Sequence, residues 1–83
     1  MLSTEYLCTA SAGIEIDFIV EKKPAIYPFE VTYATRVRSE KVNNLQKFMK
    51  QEEKAQWGFY IYRGDFHIDE RSRIIYIPAW AIA

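Results

Sequence analysis

An α+β fold is what the sequence predicts: a single mixed β-sheet with one main helix, in the order βββαββ. Three observations lead there. Apolar and polar residues alternate with a period of two through the first third of the chain. One central segment carries helical periodicity, and two further apolar runs follow it. The 83 residues are read as one domain, 1–83. Its core is marginal, since so short a chain buries only about 60–65% of the surface it exposes when unfolded.

Glu5 to Thr9 reads as the first strand, with Tyr6 and Cys8 on one side and Leu7 on the other. Ser11-Ala12-Gly13 supplies the turn. In the second strand Ile14, Ile16, Phe18 and Val20 point one way, and Glu15, Asp17 and Ile19 the other. After the polar turn Glu21-Lys22-Lys23-Pro24, Ala25 to Thr32 forms the third strand. There Tyr27, Phe29 and Val31 oppose Ile26, Pro28, Glu30 and Thr32. Pro28 has no N–H, so its nitrogen must face an edge or a gap. A helix is expected from Ser39, as N-cap, to Lys54. At about 100° per residue Val42, Leu45, Phe48 and Met49 share one arc of roughly 120°, the buried stripe. Trp57 to Tyr62 is apolar enough for burial on both faces, and Ile74 to Ile77 is the last strand, closed by Pro78-Ala79-Trp80. The run from Ala25 through the helix to Tyr62 has the form of a right-handed crossover, which places those two strands parallel.

Composition narrows the function classes. Hydrophobic residues make up 49% and aromatics 16%, which excludes disorder and leaves more apolar surface than so small a core absorbs. A partner is therefore expected, either a homo-oligomer (a dimer) or a missing neighbouring domain. Lys plus Arg equals Asp plus Glu at 11 each, so no global field draws the chain to nucleic acid or membrane. The single Cys8 cannot form an internal disulfide, and no zinc spacing occurs. The start lacks a basic and an apolar region, and the stretch Ile74 to Ala83 is too short to span a bilayer. A soluble, cytoplasmic protein without membrane contact is the expectation.

Two acids then stand out. If the hairpin turns between Lys23 and Pro24, Asp17 lies opposite Glu30 and Glu15 opposite Thr32, all four side chains on one face. Directly opposite Cβ atoms are about 4.5–5.5 Å apart, so the two like charges need a counter-charge, and a divalent cation suits oxygen ligands. Alternation with an acidic outer face is also what an ordinary wet hairpin shows. Glu30, however, sits in Tyr-Pro-Phe-Glu-Val, where a carboxylate is expensive unless paired or liganded.

Gly13-Ile14-Glu15-Ile16-Asp17-Phe18-Ile19-Val20, Tyr27-Pro28-Phe29-Glu30-Val31-Thr32, Asn44-Leu45-Gln46-Lys47-Phe48 and Ile77-Pro78-Ala79-Trp80 carry a resemblance. Together they resemble a C-terminal domain of unknown function attached to many prokaryotic AAA-type ATPases, within the PD-(D/E)XK nuclease-like superfamily. The resemblance runs from about Glu5 to Trp80. It implies a restriction-endonuclease-like αβββαβ core, here without its first helix. It also implies Asp17 and Glu30 as acids for Mg²⁺ or Mn²⁺, with the Val31 carbonyl a further ligand. In active members the metal and a lysine two residues after the glutamate activate water against a phosphodiester. Here Thr32 holds that lysine position, with a hydroxyl and no charge. Some such families move the lysine to the following helix, where Lys41 and Lys47 are nearest; Lys47 faces away from the buried stripe.

From Arg36 to Lys54 six basic residues stand against three acidic ones, and Arg36, Arg38, Lys47, Lys50 and Lys54 could meet phosphates. More often such a stripe is a solvated helix face. His67 lacks a companion ligand and belongs at the surface, and no serine has hydrolase context. The aromatics Trp57, Phe59, Tyr60, Tyr62, Tyr76 and Trp80 could stack bases, although core packing explains them more simply. The resulting expectation is a nuclease-fold domain, the fragment or remnant of a larger ATPase, inactive or impaired for want of the lysine and serving association or docking. A metal-dependent DNA or RNA phosphodiesterase using Asp17 and Glu30, and a nucleic-acid-binding module that does not cleave, are the alternatives. No G-x-x-x-x-G-K-[ST] loop occurs, so the chain has no ATP site of its own.

Overall fold

Alternating and continuous apolar segments build one sheet, and the amphipathic segment lies across it. The computed structural model describes residues 5–11 and 14–82, with side chains from residue 14 onward. The strands are β1 (Glu5–Ser11), β2 (Ile14–Lys22), β3 (Ala25–Val31), β4 (Gly58–Tyr62), β5 (His67–Asp69) and β6 (Ile74–Pro78), with helix α1 (Ser39–Gln51) between β3 and β4. They form a six-stranded sheet in the order β1-β2-β3-β4-β6-β5. The α+β class with one mixed sheet and one helix is thus as expected, and so is the parallel pairing of β3 with β4 across the helix. β6 also runs parallel to β4, while β5 returns antiparallel on its outer edge. The three-residue β5 was not foreseen, because so short a strand has no periodicity to read; His67 sits on it, exposed, against the Tyr76 ring.

The β2–β3 hairpin turns at Lys23-Pro24, through a cis peptide, with Phe18 opposite Phe29 and Val20 opposite Tyr27, which is the expected register. Pro28 lies where the ladder to β4 has not yet begun: pairing there starts at Phe29 and Phe59. The flanking amides on that side go to Lys54 O from Ile26 and to Ile61 O from Thr32. The proline thus occupies a gap, as its missing N–H requires.

The core lies between α1 and one sheet face. Leu45, Tyr60 and Ile74 are wholly buried there with Ile14, Ile16, Ile19, Tyr62 and Tyr76, and Val42, Phe48 and Met49 pack against them as the helical stripe predicts. An added Cβ at Gly58 would meet Leu45 and Met49 at 3.4 Å, ordinary van der Waals contact, which marks how closely the helix lies on β4. On the opposite face Phe29 stacks between Phe18 and Phe59, at 4.7 Å from each ring, with Tyr27 edge-on to Phe59.

Five expectations are corrected. The helix N-cap is Arg38 rather than Ser39, and the helix ends at Gln51 rather than Lys54. The β1–β2 register shifts between Leu7 and Thr9, whose partners are Ile19 and Ile16, so β2 carries one extra residue around Asp17 and Phe18. Ile14, Ile16 and Ile19 consequently share the buried face, and Phe18 does not join the first two. The β2–β3 ladder ends at Phe18 and Phe29, so neither Asp17 and Glu30 nor Glu15 and Thr32 are ladder partners. Trp80 is not core: it is 78% exposed. The expected sidedness of Tyr6, Leu7 and Cys8 and the Ala12-Gly13 part of the first turn lie outside the described residues.

Candidate active site

Where the β2–β3 ladder opens, side chains take over from backbone. The Asp17 N–H donates to Glu30 Oε1 at 2.8 Å, and the Val31 N–H donates to Asp17 Oδ2 at 2.7 Å. Each carboxylate thereby satisfies an amide of the other strand that the ladder has released. The extra residue in β2 makes this reciprocal arrangement reachable, and it holds the two acids side by side.

Glu30 is buried at 2% exposure, a costly place for a charge without partners. Its partners come from α1. Lys41 Nζ lies 3.0 Å from Asp17 Oδ2 and 3.7 Å from Glu30 Oε2, and Asn44 gives Glu30 a side-chain hydrogen bond. Lys41 and Asn44 are three apart and share one face of the helix. The start of that helix is fixed independently, because the Arg38 N–H donates to the buried Tyr60 hydroxyl on β4 at 2.8 Å. A β4 tyrosine thus sets where the helix begins, and the helix sets where Lys41 reaches.

The electrostatics follow from this geometry. Burial pushes the Glu30 carboxyl above its ordinary value of 4.5, and the neighbouring Asp17 charge adds to the rise. The Asp17 N–H, Lys41 and Asn44 pull it back only in part. For Lys41, burial alone would lower the pKa. The hydrogen bond to Asp17 and the charges of Glu30 and Asp17 outweigh burial, so the ammonium ends above 10.5 and stays protonated at neutral pH.

The predicted site residues divide accordingly. Asp17 and Glu30 come together, and Val31 meets Asp17 through its N–H, a different atom from the carbonyl expected as a ligand. The Thr32 hydroxyl accepts the Ala34 N–H at 3.2 Å, closing the turn after β3. Lys47 is exposed on the far side of the helix, as its wheel position predicts, and Lys41 occupies the cluster. Arg36 and Lys54 are exposed, and Arg38 is exposed beside Glu40 at 3.5 Å. In the sequence Tyr60 reads only as a core or stacking aromatic, and Asn44 only as part of a motif, so neither is placed at this site. The i, i+3 spacing from Lys41 was the signal for Asn44, whereas nothing local marks Tyr60.

As a donor set for a cation the cluster is small but of the right kind. Among the described residues no group of three His, Cys, Asp or Glu side chains converges, so two carboxylates are what the site has. Mg²⁺ is commonly held by one or two carboxylates, the rest of its shell being water and substrate oxygens. Two carboxylates against one ammonium leave one net negative charge. The donor set fits a weakly held divalent ion.

An acid from each of two adjacent strands, met by a lysine from the helix that follows, defines a class: an α+β domain with a two-carboxylate, one-lysine cluster. The chain belongs to the family described as a domain of unknown function (DUF4143), whose family model matches residues 3–82. No curated protein and no solved structure matches it.

Proposed function

We propose that this domain is a divalent-metal-dependent phosphodiesterase of the PD-(D/E)XK nuclease-like kind, with Lys41 supplying the positive charge that Thr32 cannot. The observation that carries this reading is the approach of Lys41 Nζ to both acids, at 3.0 and 3.7 Å. A threonine at the motif position argues for an impaired domain, and a lysine arriving from the helix supports the active reading instead. Asp17 and Glu30 would hold Mg²⁺ or Mn²⁺. The ion would lower the pKa of a bound water and offset charge on the phosphoryl group. Lys41, protonated at neutral pH, would orient that water or steady the phosphate oxygen rather than take up a proton. Asn44 and the Asp17 N–H position Glu30, and Tyr60 positions the helix.

Cleavage of DNA and RNA in Mg²⁺ or Mn²⁺ tests this directly. Asp17→Ala should abolish cutting, and Lys41→Ala should lower it by roughly 10²–10³-fold, the effect of removing one group that stabilises transition-state charge. No cutting with either metal, or cutting indifferent to Asp17→Ala, would overturn the proposal.

A second reading, association through the sheet face opposite α1, is favoured by a different observation. No described element covers the stack of Phe18, Phe29 and Phe59. Beyond it Tyr33 at 89% and Trp80 at 78% exposure line a cleft of about 560 Å³ with Arg63 and Ala79. A second copy of the chain, or the ATPase domain implied by the resemblance, would cover such a surface.

A further inference from the structure

Four cations meet across one cleft on the other flank of the helix. Lys47 and Lys50 of α1 face Arg71 and Arg73 of the β5–β6 turn over a space of about 470 Å³, which Asn43, Gln46, Met49 and Ser72 complete. No acidic side chain lines it. All four cations are exposed, and among the described residues none makes an ion pair. In a chain with 11 basic and 11 acidic residues, such a concentration is local.

The turn that presents the arginines is built rather than loose. Asp69 Oδ1 accepts the N–H of Arg71 at 3.1 Å and of Ser72 at 3.4 Å, so this acid is turned toward backbone, and the exposed Glu70 of the same turn is not among the residues that line the cleft. Arg73 adopts φ 59°, the left-handed region a branched-free but bulky side chain seldom enters, and its carbonyl accepts the Gly58 N–H at 2.9 Å. Backbone strain is thus accepted where it places a guanidinium at the cleft. Lys47 and Lys50, three apart, line the opposite wall on neighbouring turns of the helix.

We infer that this cleft between α1 and the β5–β6 turn is a groove for the phosphate backbone of nucleic acid, separate from the carboxylate cluster. Two facing rows of cations suit a linear polyanion, which can meet both rows at once, better than a lone phosphate. Asn43 and Gln46 add side-chain amides able to meet sugar hydroxyls and base edges. The choice of nucleic acid over another polyanion rests on the phosphodiesterase reading. Contact with phosphate needs no metal, so binding and cleavage are separable.

Binding is measured by fluorescence anisotropy, in EDTA, with labelled single-stranded and duplex DNA and RNA over a range of salt. The combined variant Lys47→Gln, Lys50→Gln, Arg71→Gln should bind roughly tenfold or more weakly, and its log–log salt slope should be shallower by about three. These exposed positions tolerate glutamine in the fold, which an unchanged thermal melt verifies. Lys22→Gln with Lys23→Gln, at the hairpin turn, should leave binding intact. Binding without any cleavage by the wild type would support the groove and sink only the phosphodiesterase reading. The groove is overturned if the wild type does not bind, if the triple variant keeps wild-type affinity and slope, or if polyglutamate competes as well as unlabelled nucleic acid.

Discussion

Glu30 and Lys41 are linked by charge, yet they shift stability at opposite ends of the pH scale. Burial raises the Glu30 carboxyl above 4.5, so over the interval between its unfolded and folded values the native state holds a proton the unfolded chain has lost. Stability therefore falls as pH rises through that window. Glu30→Gln removes the titration. In urea melts from about pH 4 to 7 the wild type should lose stability with rising pH relative to that variant; a constant difference would contradict the assignment. Lys41 is raised above 10.5, so its contribution is full below that value and is lost as pH climbs through the folded pKa. Lys41→Met should erase this alkaline loss and cost on the order of 1–3 kcal/mol at neutral pH, because it strips a buried carboxylate of its ammonium. Both acids were legible in the sequence, since the hairpin register carried one step past its last ladder pair brings Asp17 to Glu30, although side chains rather than the ladder join them. Choosing Lys41 over Lys47 was only half legible, because a wheel angle gives direction and not reach.

Among the elements, β2 shows why a clean alternation can mislead. Ile14, Ile16, Phe18 and Val20 are all apolar, and both sheet faces accept apolar side chains, so a one-residue shift leaves the pattern looking unbroken. The hairpin register was readable because the turn at Lys23-Pro24 fixes it from the closed end. The extra residue in β2 lies at the open end, where Asp17 is needed. The β4 turn holds a similar constraint. An added Cβ at Gly64 would collide with the Tyr62 ring, and the Tyr62 hydroxyl donates to Asp65 O at 2.7 Å. Gly64→Ala must push that largely buried ring aside and break the bond, a loss of about 1–3 kcal/mol readable in the urea midpoint. Gly64→Ala combined with Tyr62→Leu should cost less than the sum of the two single changes. Additive losses would mean the ring is not what the new methyl meets.

Across the whole molecule one helix serves one face of a six-stranded sheet, and the opposite face keeps its aromatics half-exposed. A chain of 83 residues gains little from a core on one side only. Covering Phe18, Phe29 and Phe59 with a second copy would add apolar burial at about 25 cal/mol per Å² without altering the carboxylate cluster on the helix side. Association of this kind binds the folded state alone, so it makes apparent stability depend on protein concentration. The melting temperature should rise between micromolar and near-millimolar solutions, and the mass by light scattering should approach that of two chains over the same range. Phe29→Glu places a charge in the middle of the stack. It should return the mass to one chain and flatten the concentration dependence. Cleavage, if Asp17, Glu30 and Lys41 suffice for it, should survive in that variant. A wild type that melts at one temperature at every concentration, with the mass of a single chain, would leave the aromatic face without a second copy to cover it.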